Sequence, residues 1–232
     1  MPESAPDVRA PHGFRPHRLR LIVFDWDGTL ADSTAIIADA IRAACADVGA
    51  EVPDRIAARY VIGLGLSDAL RHVAPTLAPG RHSELSARFR HHYLARDAEI
   101  PLFEGARELL DDLDRAGYYL AVATGKTRIG LDRSLIHTRL TRRFHVPRCA
   151  DEGRPKPHPD MLLHVLATTG VAAGDALMIG DTTHDLDLAC NAGTHALAVT
   201  YGAHEKEGLA SRNPLGTVHS IAELRQWLEQ NG

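Results

Sequence analysis

The chain has 232 residues, 44% of them hydrophobic and 24% charged, with a formal net charge of -4. That length suits one substantial core, or a core carrying an inserted unit, at roughly 100–200 residues per domain. The acidic balance argues against a protein that grips nucleic acid by neutralising phosphates, and no stretch approaches the ~18 apolar residues of a membrane span, so neither is an expected partner.

Residues 1–18 are rich in Pro, Arg and His and lack an apolar signal segment, so they read as a poorly ordered lead-in rather than a secretory leader. Leu19 to Phe24 is a short, uniformly apolar run that reads as a buried strand, and it runs straight into Asp25-Trp26-Asp27-Gly28-Thr29-Leu30. Ser33 suits a helix N-cap. Ile36, Ile37, Ala40, Ile41, Ala44 and Val48 then share one helical face, and Gly49 follows as a stop. From Pro53 to Glu99 the pattern stays helical, with breaks at Gly63-Leu64-Gly65, Pro75 and Pro79-Gly80. Residues 33–100 therefore read as an all-helical insertion. Ala106, Leu109, Leu110 and Leu113 predict a helix ended by Gly117, and Tyr118 to Ala123 a second strand that stops at Thr124-Gly125-Lys126. A helix over Ile129–Leu140 follows, then a weak strand over Phe144–Cys149 whose Pro147 points to a sheet edge. Met161, Leu162, Val165 and Leu166 predict a helix ended by Gly170. Ala176 to Ile179 is the next strand and ends in Gly180-Asp181. A short helix over Asp185–Ala192, capped by Gly193, and a strand over His195–Thr200 come next. Ser220 to Glu223 has the form of a capping box, opening a last helix with Ile221, Leu224, Trp227 and Leu228 inward. Strand and helix alternate outside the insertion, which predicts an α/β, doubly wound parallel sheet built from residues 19–32 and 101–232. The cysteines Cys45, Cys149 and Cys190 are scattered and odd in number, which argues against disulfides or a zinc site and suggests reduced thiols in a cytoplasmic protein.

Several of these strands end in reactive side chains: Asp25 and Asp27, Thr124, and Asp181. Lys156 lies in the loop before the helix that leads to the strand ending at Asp181. In a parallel sheet those ends share one edge, where ligands gather. Two carboxylates ~4 Å apart repel by about 4 kcal/mol at an effective dielectric near 20. A divalent cation removes that repulsion, and hard oxygen donors suit Mg²⁺ with a substrate phosphate. Lys156 and the Thr124 hydroxyl favour a phosphoryl group. One carboxylate can then attack phosphorus to form an aspartyl-phosphate, and Asp27 can pass a proton to the leaving oxygen and take one from water.

Asp25-Trp26-Asp27-Gly28-Thr29-Leu30 with Asp32-Ser33 resembles the first motif of the haloacid dehalogenase superfamily. Ala123-Thr124-Gly125-Lys126 resembles the second, Arg154 to Asp160 around Lys156 the third, and Gly180 to Asp185 the fourth. The motifs occur in order from Asp25 to Asp185. The resemblance implies a Rossmann-like core with Asp25 as nucleophile and Asp27 as acid/base that also meets Mg²⁺ through its carbonyl. It implies Thr124, Gly125 and Lys156 as phosphate-binding groups, with Asp25, Asp27, Asp181 and Asp185 around the metal. It further implies that residues 33–100 are the helical cap of the phosphoglycolate phosphatase-like subclass, with Val61-Ile62-Gly63-Leu64 reaching into the site. Asp27 favours phosphoryl transfer over dehalogenation. Gly125 stands where many phosphoglycolate phosphatases carry Asn, which weakens a substrate assignment.

The expected substrate is a small phosphorylated metabolite: phosphoglycolate first, then nucleoside monophosphates and sugar phosphates. The alternatives are a phosphomutase of the same fold and a catalytically silent ligand-binding member, the latter disfavoured by four intact motifs. Gly125-Lys126-Thr127 is not a P-loop, because Leu120 stands where that pattern needs Gly. Arg59, Arg71 and Arg128 are candidate readers of a substrate carboxylate. Lys126 is balanced between substrate contact and surface charge, and His158 and His184 read as loop-shaping groups.

Overall fold

The computed structural model describes residues 19–232; the predicted lead-in lies outside the described residues. Six parallel strands form one sheet in the order β3-β2-β1-β4-β5-β6. They are β1 (Leu21–Phe24), β2 (Tyr119–Thr124), β3 (Val146–Cys149), β4 (Ala176–Gly180), β5 (His195–Val199) and β6 (Thr217–Val218). The central strand pairs Leu21 with Tyr119 on one side and with Ala176 on the other. Strand order reverses between β1 and β4, and such a switch point opens a crevice at the carboxyl ends of the strands.

The apolar runs form strands because each is buried on both faces and its side chains alternate between two layers. Ile22 and Phe24 join Leu120, Val122, Leu177 and Ile179 against the helices α5 (Ala106–Arg115), α6 (Arg128–His137) and α10 (Ile221–Asn231). Leu21 and Val23 point the other way, toward α7 (Asp160–Thr169) and α8 (Thr183–Ala192). The predicted doubly wound α/β architecture is the observed one.

Between β1 and α5 the chain forms α1 (Thr34–Asp47), α2 (Arg55–Tyr60), α3 (Leu66–Val73) and α4 (His82–Leu94). Ile41, Ala44, Cys45, Ala58, Leu70 and Leu85 gather in an apolar cluster of their own, separate from the sheet's two layers.

Pro147 does lie on an edge strand, since β3 pairs only with β2 in the sheet order. Two local expectations need correction. Ser33 occupies the N-cap position of α1, but its hydroxyl makes no cap bond and serves the site instead. Helix α8 begins at Thr183 rather than Asp185, because Thr182 caps it and Asp185 closes a capping box. The strand β6 and the short helix α9 (Lys206–Ala210) are additions to the sequence-based outline.

Candidate active site

The buried carboxylates meet where β1 and β4 end. The backbone N–H of Asp25 donates to the Ile179 carbonyl at 2.9 Å, carrying the sheet register one residue past β1 and fixing the Asp25 side chain over the switch point. Lys156 comes in from the loop before α7. Its ammonium donates to Asp25 Oδ1 at 2.8 Å and to Asp185 Oδ1 at 2.6 Å, with all three side chains fully buried. Asp185 Oδ2 accepts from the Thr182 hydroxyl at 2.7 Å and from the Thr182 N–H at 3.1 Å, so the capping box that starts α8 also holds a site carboxylate.

Asp181 is gripped by two donors. The Thr29 hydroxyl donates to its Oδ1 and the Ala203 N–H to its Oδ2, both at 2.7 Å. Gly28, at φ +86°, keeps the chain clear of this group: a Cβ there would lie 2.8 Å from the Asp181 carboxylate carbon and closer still to an oxygen.

Asp25, Asp181 and Asp185 each offer a carboxylate oxygen within 4.8 Å of the others. One ammonium among three carboxylates leaves the cluster short of positive charge. Burial works against the Lys156 ammonium, but Asp185 and Asp25 more than restore it, and its pKa lies above the usual lysine value. The deficit falls on the acids. Burial, with the charges of Asp185 and Asp181, raises Asp25 well above the carboxylate range despite Lys156. Burial and then Asp185 push Asp181 up to about 7, against the hydrogen bonds from Ala203 and Thr29. Asp25 Oδ2 is buried with no hydrogen-bond partner. An unpartnered, hard oxygen beside two further carboxylates fits a divalent cation such as Mg²⁺.

Asp27 faces a different set of neighbours. Its Oδ1 accepts from the Ser33 hydroxyl at 2.7 Å and lies 3.0 Å from the Lys126 ammonium. Lys126 also donates to the Tyr93 hydroxyl at 2.8 Å, which ties α4 to the core. Burial opposes the Lys126 charge, yet Asp27 and Tyr93 hold its pKa above the ordinary value. Lys126 is thus not a surface charge; it is a mostly buried partner of Asp27 and Tyr93. Thr124 is buried at the end of β2, and its hydroxyl oxygen accepts from the Lys126 N–H at 3.2 Å, leaving its own O–H to donate. Gly125 beside it lies against the turn between α2 and α3: a Cβ there would stand 2.7 Å from the Gly63 carbonyl oxygen and closer to that of Leu64.

The structure therefore brings Asp25, Lys156, Asp181 and Asp185 into one cluster and sets Asp27, Thr124 and Gly125 beside it. The three candidate arginines do something else. Arg128 pairs with Glu152 at 2.8 Å and donates to the Pro147 carbonyl. Arg71 pairs with Asp68 on an exposed helix turn, and Arg59 donates to the carbonyls of Gly202 and Ala203. His158 shapes its loop by accepting from the Asp160 N–H at 3.2 Å.

The hydrogen-bonding roles of several residues escaped the sequence reading. Thr29, Ser33 and Thr182 donate to Asp181, Asp27 and Asp185; all three stand in the stretches that resemble the first and fourth motifs, and Thr182 also had the Thr-x-x-Asp spacing of a capping box. His184, read as a loop-shaping group, joins Tyr60 and His204 in a second group. Both histidines donate from Nε2 to the Tyr60 carbonyl, at 3.0 and 2.8 Å, and burial pushes both imidazoles down toward the neutral form. With Arg59 they pin α2 to the loop that carries Ala203.

A buried acid cluster with one lysine thus stands at the switch point of a doubly wound sheet, where such folds bind ligands. The family model for haloacid dehalogenase-like hydrolases matches residues 22–199, and the chain belongs to that family. It is 35% identical over 211 residues to the probable phosphatase IndB of Dickeya dadantii, covering 88% of this chain and 91% of that protein. It is 33% identical over 213 residues to the tyrosine-protein kinase PtkA of Mycobacterium tuberculosis, covering 90% and 72%. A crystal structure described as a predicted phosphoglycolate phosphatase from Haemophilus somnus superposes with a TM-score of 0.79 at 25% identity, covering 90% of this chain and 97% of that one. Within the family the chain is an enzyme of the phosphatase class. Among the described residues no helix is long and apolar enough to cross a membrane.

Proposed function

We propose that the protein hydrolyses a small phosphomonoester through an aspartyl-phosphate on Asp25, with Mg²⁺ as cofactor. The observation that carries this reading is the orphaned Asp25 Oδ2, buried beside Lys156 and two further acids. A bound Mg²⁺ would be held by Asp25, Asp181 and the Asp27 carbonyl, with Asp185 in support, and would supply charge neutralisation for the incoming phosphate. Lys156, the Thr124 O–H and the Gly125 N–H bind and orient the phosphoryl oxygens. The Asp25 carboxylate attacks phosphorus as the ester oxygen leaves. Asp27 gives that oxygen a proton, then takes one from the water that attacks the acyl phosphate and releases orthophosphate. Residues 33–100 act as a cap that excludes bulk water, with the Val61–Leu64 turn lying over Gly125 and Thr182.

Phosphate release from a panel of phosphomonoesters, with and without EDTA, tests this. Turnover that EDTA abolishes and Mg²⁺ restores is expected; EDTA-insensitive turnover sinks the metal role, and isomerised sugar phosphate without free phosphate would mean a mutase.

The raised acids give a second test. A carboxyl whose folded pKa exceeds its unfolded value of ~3.9 binds protons that the unfolded chain has released, so metal-free stability falls as pH rises. With Asp181 at about 7, that fall spans the interval from about pH 4 to 7. Mg²⁺ binds the deprotonated acids and offsets it. The Tm gain on adding Mg²⁺ should be larger at pH 8 than at pH 5; equal gains would contradict the assigned ligand set.

A further inference from the structure

A cavity of about 540 Å³ opens between the insertion and the core. Asp27 and Lys126 form its inner end, with side chains only 11% and 9% exposed, while Ile129 and Leu94 stand at its open edge, 73% and 44% exposed. Asp27 is the one site carboxylate that lines it; Asp25, Asp181 and Asp185 lie outside the lining. In the reading above Asp27 protonates the departing ester oxygen, so the organic part of the substrate extends into this space.

The walls are mostly apolar. Ile37 and Ile41 come from α1, Leu66 from α3, and Phe89 and Tyr93 from α4. Phe89 and Tyr93 lie nearly parallel, with ring centroids 5.7 Å apart and planes at 14°. Flat apolar groups gain from such walls both by leaving water and by ring packing. Two large apolar side chains held exposed at the mouth extend the same surface outward.

We propose that the natural substrate is a phosphomonoester whose organic part is bulky, flat and largely apolar, a ring-bearing alkyl or aryl phosphate, with Phe89 and Tyr93 as its packing wall. The proposal rests on the phosphomonoesterase reading and narrows it. A two-carbon acid such as glycolate leaves most of this volume to water against apolar walls. Its carboxylate, one carbon from the ester oxygen, would meet Lys126, whose ammonium is already committed to Asp27 and Tyr93. The remaining cations that line the cavity stand at its exposed side: Arg90 is exposed, and Arg133 is 47% exposed and pairs with Asp97 at 3.1 Å.

The test compares 2-phenylethyl phosphate with ethyl phosphate and 2-phosphoglycolate. The first two expel similar primary alkoxides, so their difference reports binding of the ring. The wild-type kcat/KM should favour 2-phenylethyl phosphate over ethyl phosphate by about tenfold or more, and Phe89→Ala should narrow that ratio within the same protein. Calorimetry on Asp25→Asn gives an independent readout, with the Kd for 2-phenylethyl phosphate again about tenfold or more below that for ethyl phosphate. Equal efficiencies, or a preference for 2-phosphoglycolate, overturn the cavity proposal and leave the phosphatase reading standing. No phosphate release from any ester by folded wild type overturns the phosphatase reading instead, and the calorimetric comparison then decides the cavity proposal by itself.

Discussion

Asp25→Asn should reduce phosphate release by on the order of 10⁴-fold or more, because an amide cannot form the acyl phosphate and removal of a nucleophile forfeits the whole covalent route. The protein should remain folded. Asn keeps an oxygen to accept the Lys156 hydrogen bond that now reaches Asp25 Oδ1 at 2.8 Å. It also removes a charge that burial and two neighbouring acids penalise. The metal-free variant should therefore melt no lower than wild type at pH 8. Acid quenching during turnover should trap a phosphorylated wild-type protein and none for the variant. Residual activity within tenfold of wild type, or phosphate label on the Asp25→Asn protein, would move the nucleophile elsewhere.

Lys156→Met has the second largest expected effect, on stability as well as on turnover. The ammonium is the shared cation of Asp25 and Asp185, and its removal leaves two buried carboxylates facing each other unpaired. Breaking a buried pair from one side costs about 3–5 kcal/mol. The sign with pH is fixed by which form is penalised. Without Lys156 the main lowering influence on Asp25 is gone, so its folded pKa rises further above ~3.9. The penalty is absent below that value, where folded and unfolded chains are both protonated, and it grows as pH rises. The Tm deficit of the variant should thus be small near pH 4 and largest near pH 8, with Mg²⁺ recovering part of it. A deficit that does not change with pH would mean Lys156 acts by packing alone.

The strands β1, β2 and β4 were legible in the sequence because each is buried on both faces, which leaves no polar alternation to confuse with a helix. Their shared orientation made it readable as well that Asp25, Thr124 and Asp181 stand at one edge of the sheet. β6 was not legible, since two residues carry no period. The Ser33 hydroxyl was misassigned for a related reason. Residue type places serine at a helix start, but only the fold shows that Asp27 lies nearer to its hydroxyl than the free N–H groups of α1. Tyr93 had no local signal at all: its meaning lies in Lys126, which the chain reaches only after leaving the insertion. The arginines failed for the opposite reason. Their charge suggested a ligand, and intramolecular acids and carbonyls satisfy it in Arg59, Arg71 and Arg128.

The position of β1 at the middle of the sheet has a consequence for how the molecule is made. Its neighbours begin at Tyr119 and Ala176, on the far side of α1–α4 and α5–α7 in chain order. At roughly 5–20 residues per second, the first strand waits on the order of ten seconds after synthesis before β4 exists to cover its second edge. Until β2 emerges its apolar side chains have no strand to join, and until β4 emerges one of its edges stays open. Helices α1 and α4 pack through contacts that arise much sooner. Placing Asp25, the proposed nucleophile, at the end of the first described strand thus makes catalysis one of the last properties the nascent chain acquires, and leaves one edge of Leu21 to Phe24 open until β4 emerges.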